Sequence, residues 1–208
     1  MGCVFVPEQD NIGSAAPGHY GVAASTLLTL QETPIAVAWN LQGDAADPAF
    51  AEQVQRAFGL TRLPETNATH TTDRLTAFWL GPTSWLLLAG EVPGTYALTA
   101  FAAQRDAVNL VGGALFDVSA SRIAWKLSGP RAATVLASGC PLDLHPRVFP
   151  AGSCAQSLFG HVGVLVGRDA QGDFSLLVAR SLARDVWQTL CATGAQYGYE
   201  VLAPVPFR

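Results

Sequence analysis

The chain has 208 residues and a net charge of −4, and half of its residues are hydrophobic against 13% charged. That length suits one compact domain or two small halves sharing a core, and the acidic balance excludes the basic face that a nucleic-acid binder needs. The low charge with a mean hydropathy of +0.26 leaves two classes, a membrane protein or a chain that hides extra surface in an obligate complex.

Residues 1–20 are rich in Gly, Pro and Ala and read as an N-terminal arm. MGCVFVPEQD has neither a basic n-region nor a long apolar run, so it is not read as a signal peptide. Gly2 invites myristoylation, but Val6 stands where that motif wants Ser or Thr. Phe5 and Tyr20 are unusual in a free tail, which suggests that the arm lies along a partner. A spanning helix needs about 20 uninterrupted apolar residues. The candidate at 76–92 is broken by Gly81, Pro82 and Ser84, and the one at 162–166 is too short. The expectation is a soluble, cytoplasmic chain.

Beyond the arm the chain repeats itself. Residues 36–44 read AVAWNLQGD and residues 122–130 read RIAWKLSGP. Aligned without gaps, Ala, Trp, Leu and Gly coincide, and each segment alternates as a half-buried strand does. Each runs into a helix start, at residues 44–48 before AFAEQVQRAFG and at Gly129-Pro130 before RAATVLASG. Proline costs nothing in a first helical turn, where its N–H has no intrahelical partner. LTAFWLGPTSWLLLAGE then reads as a hairpin turned at residues 81–84. SCAQSLFGHVGVLVGRDAQGDFSLLVAR reads as two or three strands with a tight turn near residues 169–173. An amphipathic helix follows each, over 96–107 and over 182–193. In the second, Leu182, Val186, Trp187 and Leu190 share a face. The fold class is therefore α+β: two pseudo-repeated β-α-β-β-α units with antiparallel sheets, one over 21–112 and one over 113–208.

Catalytic signatures are missing. There is no GxxxxGK[ST], no GxGxxG between a strand and a helix, and no GxSxG; the glycines of GHVGVLVG at 160–167 lie inside a strand pattern. The cysteines are Cys3, Cys140, Cys154 and Cys191. Cys140, His145, Cys154 and His161 make a C-x4-H-x8-C-x6-H spacing, loose beside the paired CxxC of structural zinc sites. Buried thiols are the expectation, without disulfides in a cytoplasmic chain. Cys140 sits at a helix C-terminus, where the dipole disfavours a thiolate. Asp117 and Asp143 are isolated, and Asp117 with Ser119 reads as a turn closed by side chain to backbone hydrogen bonds. Arg122 and Arg131 read as solvated. Arg147, set among Pro146, Val148 and Phe149, is the better candidate contact, with His145 beside it. The site expectation is no catalytic, cofactor-binding or metal residue, with His145, Arg147 and Phe149 as candidate partner contacts.

The segment LFDVSASRIAWKLSGPRAATVLASGCPLDLHPRVFPAGSCAQSLFGHVGVLV resembles the gamma subunit family of heterotetrameric sarcosine oxidase. The resemblance rests on D-V-S at 117–119, L-S-G-P-R-A at 127–132, G-C-P-L-D-L-H-P-R at 139–147 and F-P-x-G-S-C-A-Q at 149–156. It continues through DFSLLVARSLARDVWQTL and covers the C-terminal half. The wider resemblance is to the aminomethyltransferase (glycine cleavage T-protein) superfamily of folate-binding α+β domains. The resemblance implies an accessory chain with alpha, beta and delta partners, in a complex that oxidises N-methylglycine to glycine, formaldehyde and hydrogen peroxide. FAD, FMN, NAD and tetrahydrofolate are implied for the complex, and none for this chain. It also implies two alternatives: a folate-binding or aminomethyltransferase-like protein, or the equivalent subunit of an N-methylglutamate dehydrogenase-type complex.

Overall fold

The computed structural model describes residues 15–21, 27–90 and 98–207. Residues 1–14, with Cys3 and Phe5, and the helix start expected at Tyr96 lie outside them. The described chain forms mixed α+β structure in two compact units. One unit comprises the described residues up to Pro34 with Ser121–Val205, and the other Ile35–Ala120 with the C-terminal Pro206 and Phe207.

The second of these units holds the first Trp strand, β3 (Val37–Gln42). Helix α1 (Pro48–Phe58) follows, started by Asp47, whose side chain accepts from the Ala49 N–H, and by Pro48 in the first turn. It ends at Gly59, whose φ of 72° closes the C-terminus by returning its N–H to Gln55, a left-handed cap that glycine adopts without a Cβ penalty. Phe50, Val54 and Phe58 recur along one face and are buried, the spacing of an apolar stripe. Then come β4 (Thr69–Thr71), β5 (Thr76–Gly81), β6 (Ser84–Ala89), α2 (Leu98–Leu110) and β7 (Ala114–Asp117), with strand order β4-β5-β6-β3-β7.

The other unit contains β1 (Gly18–Tyr20), β2 (Thr29–Glu32), β8 (Arg122–Ser128), α3 (Ala132–Ala137), β9 (Cys154–Phe159), β10 (Val162–Arg168), β11 (Phe174–Ala179), α4 (Ala183–Gly194) and β12 (Tyr199–Leu202). Its order is β1-β12-β2-β8-β11-β10-β9. Pairing is antiparallel except between β12 and β2. Tyr20 stacks on Tyr199 at 5.4 Å, so this aromatic of the arm packs within its own chain.

Read from the outer edge inward, β4-β5-β6-β3 and β9-β10-β11-β8 are the same arrangement. Trp39 packs on Phe101 of α2 at 5.2 Å, and Trp125 packs on Trp187 of α4 at 5.7 Å. Trp39 to Trp125 and Phe101 to Trp187 are separated by the same interval in the sequence. The repeated glycine has a steric cause in both copies. A Cβ on Gly43 would stand 2.3 Å from the Phe50 ring, and Gly129, at φ 97°, would meet the Leu27 carbonyl at 2.8 Å.

The leading strands are exchanged. β2 runs in sequence toward β3 but pairs with β8, and β7 runs toward β8 but pairs with β3. Two local expectations are corrected. Leu182 is 43% exposed in a 3-10 turn, and Ala183 takes its place on the buried face of α4. Helix α3 begins at Ala132, so Pro130 lies in the turn before it rather than in its first turn.

Candidate functional site

The segment between α3 and β9 carries the residues singled out by the sequence, and its shape follows from a few local bonds. Gly139 gives its carbonyl to the Gly160 N–H at 2.8 Å, fastening the segment to the β9–β10 turn. Cys140 is buried, with Sγ 3.5 Å from Ser157 Oγ. Asp143 Oδ1 accepts from the His145 N–H at 2.9 Å, the self-bonding turn that aspartate favours. The His145 carbonyl accepts from both the Val148 and Phe149 N–H groups at 2.9 Å, and the Arg147 N–H donates to His145 Nδ1 at 3.2 Å.

Two buried side chains, Leu144 and Phe149, bracket this turn. Phe149 is 6% exposed and stacks on Phe174 at 6.5 Å. Of the three expected contacts, the structure leaves His145 and Arg147 exposed and puts the Phe149 ring into the core. Val148 stands out in its stead, 62% exposed. Sequence reasoning passed over it because a loop has no periodicity to tell which of two adjacent apolar residues turns inward.

Arg168, at the end of β10, closes the segment from below. Its Nη1 donates to the Phe149 carbonyl at 2.9 Å and to the Leu144 carbonyl at 3.4 Å, and its guanidinium lies 5.1 Å from the Phe174 ring centre. Its backbone pairs with Gly152 and Ser153.

The other polar groups singled out by the sequence lie in structural contacts. Asp117 Oδ1 accepts from the Ser119 N–H at 2.9 Å and from its hydroxyl at 2.6 Å, while Ser119 Oγ accepts from the buried Ala38 N–H at 2.9 Å. The D-V-S turn thus clasps β7 onto β3. Arg131 lies 5.2 Å from the Tyr197 ring centre. Arg122 is corrected from solvated to half-buried: burial lowers its pKa, and its Nε is buried without a hydrogen-bond partner. Lys126 feels burial against its charge, but hydrogen bonds to Asp169 and Asp173 and their charges outweigh it and raise its pKa.

Among the described residues, His, Cys, Asp and Glu nowhere gather in a group of three able to hold a metal, and Cys140, Cys154 and Cys191 are buried thiols. Gly160 forms the turn between β9 and β10, not a strand-to-helix loop that could cradle a pyrophosphate. A cavity of about 370 Å³ is lined by Thr71, Thr72, Asp73, Arg74 and Phe207 among others. Asp73 and Arg74 are exposed there, and the Thr72 hydroxyl is engaged within its own turn by the Arg74 and Leu75 N–H groups and the Leu75 carbonyl. That lining offers a pterin or dinucleotide no buried polar anchor, and these residues do not fit one. No helix among the described residues is long and apolar enough to cross a membrane.

The model of the sarcosine oxidase gamma subunit family matches residues 42–196. The sarcosine oxidase subunit gamma of Corynebacterium sp. strain U-96 is 34% identical over 99 residues, which are 48% of this chain and 46% of that protein. The match spans about half the length of the curated relatives. A chain in the structure of heterotetrameric sarcosine oxidase from Corynebacterium sp. U-96, in complex with pyrrole 2-carboxylate, superposes with a TM-score of 0.74 at 26% identity, covering 85% of this chain and 88% of that one. The glycine cleavage system aminomethyltransferase T of Bartonella henselae superposes with a TM-score of 0.60 at 15% identity, over 86% of this chain and 48% of that one; that likeness is one of fold.

Proposed function

We propose, because the chain belongs to the sarcosine oxidase gamma subunit family, that it is the accessory gamma subunit of a cytoplasmic heterotetrameric oxidase, acting through assembly rather than chemistry. Its partners are the alpha, beta and delta chains. The complex oxidises N-methylglycine with oxygen and water to glycine, formaldehyde and hydrogen peroxide. FAD, FMN, NAD and tetrahydrofolate belong to the other subunits.

The observation that carries this reading is the joint match of family model and structure, residues 42–196 in the one and 85% of the chain in the other. A composition poor in charge also suits extensive burial in a complex. The surface offered for docking is the 141–150 segment, on which His145 and Arg147 are exposed.

Co-expression of the full chain with the other three subunits tests the proposal. One heterotetramer by native mass spectrometry, producing peroxide from sarcosine, is the expected result, with no peroxide from this chain alone. A stable monomer without affinity for alpha and beta would overturn it.

A further inference from the structure

We propose that residues 145–148 form a preorganised knob, held in shape by Arg168, that docks into an apolar recess rimmed by carboxylates on another subunit. The proposal rests on the subunit reading above and deepens it by naming what the partner surface must offer.

The knob is more ordered than an exposed loop needs to be. Its exposed residues sit between two buried anchors, Leu144 and Phe149. Three backbone N–H groups, of Arg147, Val148 and Phe149, are all spent on His145. Arg168 then bonds the carbonyls of both anchors and lies over the Phe174 ring on which Phe149 stacks. The guanidinium is kept although its Nε is buried without a partner, a state that works against folding. A loop fixed in this way loses little conformational freedom on binding, which is how preorganisation raises affinity.

What the knob presents selects its partner. Val148 is a branched apolar side chain 62% exposed, suited to a recess that excludes water. Arg147 beside it has no acidic partner among the described residues. Because His145 Nδ1 accepts from the Arg147 N–H, the neutral ring carries its hydrogen on Nε2, a tautomer inferred from the bonding. Both outward polar groups are therefore donors. An apolar centre flanked by donors is complementary to a pocket bordered by Asp or Glu, where a buried arginine fork makes its strongest bonds.

The experiment measures assembly of the full chain with the other subunits by titration, with V148D, R147E, R168M and the V148D/R168M pair beside the natural chain. V148D and R147E are each expected to weaken assembly by at least about tenfold, as central interface residues do, with unchanged melting of the isolated chain. R168M is expected to speed amide exchange at Val148 and Phe149, to weaken assembly several-fold, and to add nothing once Val148 is Asp. Arg168→Lys, which keeps the charge but lacks the planar guanidinium that lies over the Phe174 ring, is expected to follow R168M. If V148D and R147E assemble like the natural chain, the knob is overturned while the subunit reading stands. If R168M still subtracts in the V148D background, its positioning role is overturned. No assembly by the natural chain would overturn both readings.

Discussion

Lys126 Nζ lies 2.8 Å from Asp169 Oδ2, tying the middle of β8 to the turn between β10 and β11, with Asp173 3.0 Å away on the same turn. The corresponding position in the other unit is Asn40, whose amide donates to Ser84 Oγ and to the Trp85 carbonyl at the β5–β6 hairpin. The same residue of the repeat thus braces the same hairpin, with charge in one copy and without it in the other.

The charged brace has a pH signature. The folded-state pKa of Lys126 lies above the ordinary value of 10.5. Its contribution is therefore complete below that pH and is lost as the pH rises through the folded value. K126M is expected to cost no more than about 1 kcal/mol near neutrality, because all three side chains keep contact with water. Thermal melts followed from pH 8 to 12 should show the natural and K126M proteins converging only at the alkaline end.

The paired aromatic contacts predict unequal losses. Trp187 is 2% exposed against Trp125, whereas Phe101 is only part-buried against Trp39. W187A is expected to cost about 3–5 kcal/mol, as large-to-small changes of buried aromatics do, and F101A less. Urea unfolding with far-UV circular dichroism measures both, and equal losses would count against the assigned burial.

Much of this was legible in the sequence because it is periodic. The AWxLxG repeat marks both Trp strands, and the strand and helix order after each follows from alternation and amphipathic spacing. The D-V-S turn was legible because Asp and Ser bond locally. Strand exchange was not, because nothing in the sequence of β2 or β7 says which of two near-identical Trp strands each will join. Nor was the inward turn of Phe149, which depends on Phe174 and Arg168, distant in sequence and met only in the folded chain. Leu182 was misplaced because a 3-10 turn shifts the helix phase just where α4 begins.

The clasp at the end of β7 predicts an asymmetry between its two members. S119A removes the acceptor of the buried Ala38 N–H and is expected to cost about 1–3 kcal/mol, the penalty of an unpaired buried donor. D117A loses two bonds at an exposed turn, where water replaces the carboxylate, and is expected to cost about 1 kcal/mol or less. Chemical denaturation of the two variants gives the comparison, and a larger loss for D117A would contradict it.

Cutting the chain between residues 112 and 113 is expected to yield two fragments that do not fold singly. The first fragment lacks β7. The second lacks β2, the strand through which β12 is joined to β8. Mixed together, the fragments are expected to recover the near-UV circular dichroism and cooperative melting of the intact chain. Cooperative unfolding of either fragment alone would refute the exchange.

The exchanged strands also impose an order on synthesis. The Ile35–Ala120 unit has all its strands once β7 has emerged from the ribosome, although the chain by then carries β1 and β2 with nothing to pair against. β2 waits for β8, and β1 waits for β12, which is made well over a hundred residues later. Pairings this distant in sequence close slowly, so the N-terminal strands pass through translation as open edges, the state most exposed to wrong pairing with another nascent chain.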